Sequence, residues 1–189
     1  MKKTPPLPRK TALIIIDVQK GFDAPVWGPR NNPRAEDNIA RVLKAWRDSR
    51  RPVIHVQHMS RFPGSPLRPG QTGNDLKDAV KPAAREPVVQ KCVNSSFIGT
   101  DLEARLRKNG IKTVVIAGIT TNHCVSTTAR MAGNLGFETY VLSDGTATFD
   151  RTGPDGKLYK AEQMHAVGLA ELHGEFATVL KTSELLKRL

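Results

Sequence analysis

The stretch TVVIAGITTNHCVSTTARMAGNLGFETYVLS, residues 113–143, holds a complete strand–helix–strand unit. It opens on an apolar run, Thr113–Ala117, and passes through Gly118. A polar segment follows, Thr120-Thr121-Asn122-His123, and the spacing predicts a helix from about Asn122 to Gly136. A second strand is expected over Glu138–Ser143. Two strands joined through a helix lie parallel, with a right-handed crossover. Cys124 falls where that helix begins.

The same alternation extends in both directions. ALIIIDV, residues 12–18, is a continuous apolar run of the kind found in a parallel strand buried on both faces. A helix is expected over Glu36–Arg50, because Ile39, Val42, Leu43 and Trp46 fall on one face. Pro52–His58 and Pro87–Lys91 read as the second and third strands. The segment between them, 59–87, is dense in Pro and Gly, and a loop of that length is expected to be a lid or a contact arm. Thr100 and Glu103 have capping-box spacing, which places a helix that stops at Gly110. A polar loop over 144–160, a helix over Ala161–His173, a strand over Ala177–Lys181 and a short terminal helix complete the pattern. It predicts one α/β domain, a three-layer α/β/α Rossmann-like fold with a six-stranded parallel sheet. Residues 1–10, MKKTPPLPRK, are expected to form a disordered basic tail, with the domain over 11–189.

The 189 residues carry a formal charge of +11. Lys2, Lys3, Arg9 and Lys10 at one end and Lys187 and Arg188 at the other supply much of the excess. The remaining cations stand beside acids, as in DLEARLRKNG, residues 101–110. No helix-turn-helix, zinc-finger or RNP-like pattern occurs, so no nucleic-acid partner is expected. A solvated basic surface of this kind can still attract anionic substrates. No apolar run approaches the roughly 20 residues that span a membrane, and no long apolar leader is read at the N-terminus. The expected compartment is cytoplasmic, with no membrane partner. A structural disulfide between Cys92 and Cys124 is not expected there.

Several motifs are absent. LIIID resembles a Walker B strand, yet no GxxxxGK[ST] exists to cradle phosphates. No GxGxxG follows any strand, and Asp17 lacks the second Asp of a haloacid-type phosphatase. FDRTG at 149–153 resembles a phosphorylated-aspartate motif but reads as part of a polar loop.

Three reactive residues remain at strand ends. Asp17 ends the first strand, Lys91 ends the third, and Cys124 begins the helix after the fourth. In an open α/β sheet, ligands bind beyond the C-terminal strand ends, where the strand order reverses. With the order 3-2-1-4-5-6, strands one and four flank that point, and Asp17 and Cys124 face each other. Any one of the three alone fits capping, solvation or packing; their coincidence at one rim favours joint function. Cys92 neighbours Lys91 in a strand and points to the other face, so a buried structural thiol is expected.

DVQKGF at 17–22, KCVNSSFIGTDLEARLRKNGI at 91–111 and VVIAGITTNHCVSTTARMAGNLGF at 114–137 resemble the isochorismatase-like cysteine hydrolases. Nicotinamidases, N-carbamoyl amide hydrolases, biuret and ureidoacrylate hydrolases and isochorismatases belong to that family. The resemblance runs from about residue 11 to 185. It implies the strand order 3-2-1-4-5-6, a catalytic triad of Asp17, Lys91 and Cys124, and a cis peptide at Ile119–Thr120. Backbone N–H groups of Thr120 and Cys124 are the implied oxyanion hole. Within that scheme the helix N-terminus and Lys91 stabilise a Cys124 thiolate, and Asp17 takes and later delivers a proton. The implied activity is cleavage of a C–N bond in a small amide or ureide through a thioester. The alternatives are an isochorismatase-type vinyl-ether hydrolase and a non-catalytic, thiol-sensing binding protein.

Nicotinamidases carry an Asp-x-His metal pair after the second strand, whereas HVQHMSRFPGSPL, residues 55–67, offers only His55 and His58. These lie three apart on a strand and face opposite sides, so no metal and no other cofactor is expected. Phe22, Trp27, His58 and Phe97 are the candidate substrate-binding walls. The expected partner is a small-molecule substrate, and the family resemblance implies a homodimer or homotetramer.

Overall fold

The computed structural model describes residues 5–189. Six strands form one parallel sheet: β1 (Thr11–Ile16), β2 (Val53–His58), β3 (Val88–Lys91), β4 (Thr113–Ile119), β5 (Glu138–Ala147) and β8 (Thr178–Leu180). Their order is β3-β2-β1-β4-β5-β8, the expected arrangement with the sixth sheet strand numbered eighth. The two additional strands, β6 (Arg151–Thr152) and β7 (Leu158–Tyr159), form a small antiparallel hairpin beyond β5. The helices are α1 (Ala35–Asp48), α2 (Leu102–Lys108), α3 (Ser126–Asn134), α4 (Ala161–Leu172) and α5 (Thr182–Leu186).

Strand β1 is the spine. Ile14 pairs with Ile54 of β2 on one side and Ile116 of β4 on the other. All six of its residues are buried, because helices cover both faces. Side chains alternate between two cores. Ala12, Ile14 and Ile16 pack with Leu102, Leu106, Ala129 and Ala132 of α2 and α3. Leu13 and Ile15 pack with Ile39, Val42, Leu43 and Trp46 of α1 and Leu185 of α5. The α1 face read from spacing is the buried one, and the Trp46 indole donates to the Thr11 carbonyl at 3.1 Å. No helix of the described residues is long and apolar enough to cross a membrane.

Several local expectations change. Residues 1–4 of the expected tail lie outside the described residues. Leu7, by contrast, is buried in the α1 core; its N–H donates to the Arg188 carbonyl at 2.8 Å, and Arg51 donates to the Pro8 carbonyl. Helix α2 begins at Leu102 without a capping box. Thr100 Oγ1 accepts from the Leu102 N–H at 3.3 Å, and Glu103 pairs instead with Arg107 at 2.7 Å. Strand β5 continues to Ala147, past the expected end at Ser143, with an irregular register against β4 between Ile116 and Gly118. The 59–87 segment contains short turns at Thr72–Asn74 and Asp78–Val80, and Val80 is buried in the α1 core.

Gly118 is a requirement of the sheet centre. It has φ +137°, and a Cβ there would lie 2.0 Å from the Ile16 carbonyl oxygen. Only a residue without a side chain lets β4 pass β1 this closely. The next peptide bond but one, Ile119–Thr120, is cis. The chain then enters a five-residue π-helical turn, Thr121–Val125, ahead of α3. The expected single helix from Asn122 is thus a wide turn followed by an α-helix, and π turns of this kind often accompany functional sites.

Candidate active site

Asp17, Lys91 and Cys124 meet at the C-terminal edge of the sheet, where the strand order reverses. Asp17 follows β1 in the left-handed region, with φ 52°, which Asp tolerates better than most residues. Its N–H still bonds to the Val56 carbonyl at 2.9 Å, so the turn stays tied to β2. Lys91 is the last residue of β3, and its parity along that strand points it inward. Its Nζ donates to Asp17 Oδ2 at 2.6 Å, and neither side chain has any solvent exposure. The same ammonium donates to His58 Nδ1 at 3.1 Å.

Cys124 Sγ, an Asp17 oxygen and a His58 nitrogen lie within 4.8 Å of one another. Asp17 Oδ1 is buried with no hydrogen-bond partner among the described residues. A buried acceptor left this way is costly; the nearby Cys124 thiol donates a long bond, 3.9 Å, to Asn94 Oδ1. Burial pushes the Asp17 carboxyl above its ordinary value, against the pull of Lys91. Burial, aided by the Asp17 charge, pushes the Cys124 thiol up to about 12; Lys91 acts in the other direction. The sequence leaves open which member of the triad holds the proton at rest. Lys91 favours a thiolate as anticipated, but at Cys124 desolvation outweighs the ammonium and favours the thiol. Burial and Lys91 bring His58 down to about 4, so its imidazole is neutral and accepts from Lys91 through Nδ1.

A cavity of about 640 Å³ opens above these groups. Phe22, Trp27 and Phe149 form one wall, with ring centroids 5.1 Å apart for Phe22–Trp27, 6.0 Å for Phe22–Phe149 and 5.7 Å for Trp27–Phe149. Of the expected walls, Phe22, Trp27 and His58 line the cavity, as does Thr120, an expected oxyanion donor. Phe97 does not. It stacks on Phe137 at 6.0 Å in the α2–α3 core, because Ser96 bonds Thr128 of α3 at 3.0 Å and turns the segment that way. Cys92 is also corrected: it is exposed, since β3 is the sheet edge and its outward parity meets solvent. Phe149, Asn94, His123 and Arg151 line the cavity without having been singled out. The available signal was FDRTG, whose Phe and Arg both face the site.

The walls are braced by buried amides. Gln19 Oε1 accepts from the His58 N–H at 2.8 Å, and its Nε2 donates to the Asn74 carbonyl at 2.8 Å. Asn74 Nδ2 donates to the carbonyls of His58 and Leu67 at 2.9 and 2.7 Å. The 59–87 loop is thereby fastened under the cavity as a fixed wall. On the far side, Asn31 Oδ1 accepts from the Thr148 N–H at 2.7 Å, and Arg30 bridges Phe149, which brings Trp27 to that ring.

Asp17, His58 and Cys124 are metal-ligand types in a cluster. The Lys91 ammonium already bonds two of the three, so a divalent ion there would meet a fixed positive charge on its own ligands. His55, the other histidine of β2, faces away and pairs with Glu86 at 2.9 Å. The donor set does not fit a metal.

The isochorismatase domain family matches residues 11–184. The chain is 52% identical over 177 residues to the isochorismatase family protein YrdC of Bacillus subtilis, covering 94% of this chain and 95% of that one. A crystal structure assigned to the isochorismatase family, from Chromobacterium violaceum, superposes with a TM-score of 0.93 at 45% identity, covering 98% and 97% of the two chains. A cysteine hydrolase from Pseudomonas syringae superposes with a TM-score of 0.87 at 25% identity, covering 100% and 98%. Nicotinamidase 3 of Arabidopsis thaliana is 27% identical over 201 residues, covering 100% of this chain and 93% of that one.

Proposed function

The chain belongs to the isochorismatase family, and from that premise we propose that it cleaves the C–N bond of a small amide or ureide through a thioester on Cys124. The observation that carries this reading is the division of labour on Asp17. One oxygen is held by Lys91 at 2.6 Å, the other is a buried acceptor without a partner among the described residues, and an Asp17 oxygen lies within 4.8 Å of Cys124 Sγ, whose own long bond of 3.9 Å goes to Asn94 Oδ1. A relative named as a nicotinamidase and a neighbour named as a cysteine hydrolase support amide chemistry at a thiol.

The proposed cycle balances on one proton. Asp17 Oδ1 takes the Cys124 proton as Sγ bonds to the carbonyl carbon. The carbonyl electrons move to oxygen, which accepts from the backbone N–H groups of Thr120 and Cys124. Collapse of the adduct breaks the C–N bond, and Asp17 returns its proton to the departing amine. Water then gives a proton to Asp17 and its hydroxyl to the thioester carbon. Collapse frees the acid, and the sulfur recovers its proton. Burial raises the Asp17 carboxyl, and Lys91 pulls it back toward the ionised form. The thiol need not ionise beforehand, in keeping with its high proton affinity.

A second reading has an observation of its own. An Asp17 carboxyl pushed above its ordinary value suits protonation of a vinyl ether, for which the thiol is dispensable. Cys124→Ala separates the two. Loss of turnover with the fold retained supports the thioester route, and near-normal turnover supports the ether route.

A further inference from the structure

A second cavity, of about 830 Å³, opens at the N-terminal end of the sheet, the edge opposite Cys124. Along β2, Val53 in this cavity and His58 beside the triad stand about 16 Å apart by strand rise. Six cationic side chains line it, Lys10, Arg47, Arg50, Arg51, Arg85 and Arg105, against one carboxylate, Glu86. They come from four separate segments: the run before β1, the end of α1, the loop before β3, and α2. The negative C-terminal end of α1 accounts for basic residues on that helix only. Glu86 is fully engaged. Its oxygens accept from Arg47 at 2.8 and 2.7 Å, from His55 Nε2 at 2.9 Å and from the Ala83 N–H at 2.9 Å. Arg105 pairs with Asp101 at 2.8 Å. Lys10, Arg50, Arg51 and Arg85 make no ion pair among the described residues. Arg51 is only 9% exposed; it donates to the carbonyls of Pro8 and Leu7, and its Nε has no partner. Burial and the nearby Arg9 charge lower its proton affinity. Arg50 stands just past α1 in the left-handed region, φ 53°, where glycine is the usual residue. Lys10 reaches over the end of α2, since a Cβ at Gly110 would lie 3.3 Å from its Nζ. Like charges gathered in one concavity repel until an anion enters.

We propose that this basic cavity is a second binding site, for a small molecule that bears a diphosphate or triphosphate group. The count of charges sets the class. Four unpaired cations exceed what a single carboxylate needs, and they match the roughly three to four negative charges of a di- or triphosphate at neutral pH. Guanidinium groups hold phosphate oxygens through paired parallel bonds, so no glycine-rich loop is required. Pro52, Val53, Ile54 and Ile111 supply an apolar floor for the organic portion, and the volume falls in the range of small-molecule pockets. A concave site favours a compact ligand, whereas a nucleic acid calls for cations spread as a stripe along the surface. The site is remote from the triad and stands whether or not Cys124 forms a thioester.

The test is calorimetric titration of the full chain, at physiological ionic strength, with inorganic tripolyphosphate, adenosine triphosphate and a short DNA duplex. The proposal expects both small polyphosphates to bind with a Kd of about 100 μM or tighter. Arg50→Gln combined with Arg85→Gln removes two exposed cations of the cavity and should weaken both at least about tenfold. Arg41→Gln combined with Lys187→Gln removes the same charge outside the cavity and should change affinity less than about twofold. Tripolyphosphate should raise the melting temperature of wild type and of the outside variant, and not that of the cavity variant. Tighter binding of the nucleotide than of tripolyphosphate would assign its organic portion to the apolar floor; equal binding would assign the contact to phosphate alone, and either supports the site. Cys124→Ala should bind both as wild type does, which keeps this result separate from the hydrolase reading. No binding of either polyphosphate, equal weakening by the two double variants, or tighter binding of the duplex than of both small polyphosphates would overturn it.

Discussion

Lys91 Nζ lies 2.6 Å from Asp17 Oδ2 with both side chains sealed from solvent, so each charge depends on the other. Removing one partner of a buried pair strands the second, at a cost of roughly 3–5 kcal/mol. Lys91→Met should destabilise the fold by about that amount in urea unfolding. Asp17→Asn combined with Lys91→Met should recover much of the loss, since no charge is then stranded. Equal instability of the single and double variants would show that the pair matters for packing alone.

Gly118→Ala should be far more damaging than its one carbon suggests. The new Cβ would meet the backbone of Ile16 at 2.0 Å, in the middle of the sheet and at φ +137°. Losses above about 4 kcal/mol are expected, or no soluble protein. A melting temperature within a few degrees of wild type would contradict the close approach of β4 and β1.

Acid should destabilise the protein in two stages. His58 is lowered to about 4 from 6.5. Between those values the unfolded chain binds the extra proton, so stability falls as pH drops from 6.5 toward 4. Glu36, held by Arg30 and Lys77 against the effect of burial, and Glu86, held chiefly by Arg47, are lowered to about 2 from 4.5. Their contributions are present above 4.5 and are lost as pH falls toward 2. His58→Gln should flatten the first stage and leave the second, as read by melting temperature against pH. An unchanged slope from pH 6.5 to 4 in that variant would remove His58 from the account.

The two cysteines should differ in the order opposite to a resting-thiolate picture. At neutral pH, iodoacetamide should label exposed Cys92 before buried Cys124, as peptide mapping by mass would show. Faster labelling of Cys124 would mean that its thiol ionises readily at rest, contrary to the push that burial exerts.

The layered sheet was legible because parallel strands buried on both faces leave continuous apolar runs, here ALIII at 12–16 and VVIAGI at 114–119. The meeting of Asp17, Lys91 and Cys124 followed from their places at strand ends, which topology gathers at one rim. What escaped depended on contacts without periodicity. Phe149 sits in a segment that reads as polar loop, and it becomes a wall only because Asn31 and Arg30 dock that segment. Phe97 is an aromatic close to Lys91 in sequence, yet a serine–threonine pair turns it into the core. Cys92 follows the alternation, but alternation says only which face, and the outward face of an edge strand has nothing to cover it. The resting proton of the triad stayed open in the sequence because a sequence displays the nearby cation and not the depth of burial.

The central claim is a covalent acyl group on Cys124. Wild-type protein mixed with a panel of small amides and ureides, quenched in acid during turnover and weighed intact, tests it most directly. The account predicts a mass increase equal to the acyl portion of a turned-over substrate, mapping to the peptide that contains Cys124 and absent from Cys124→Ala. Turnover with no adduct at any quench time, and with Cys124→Ala equally active, would contradict it.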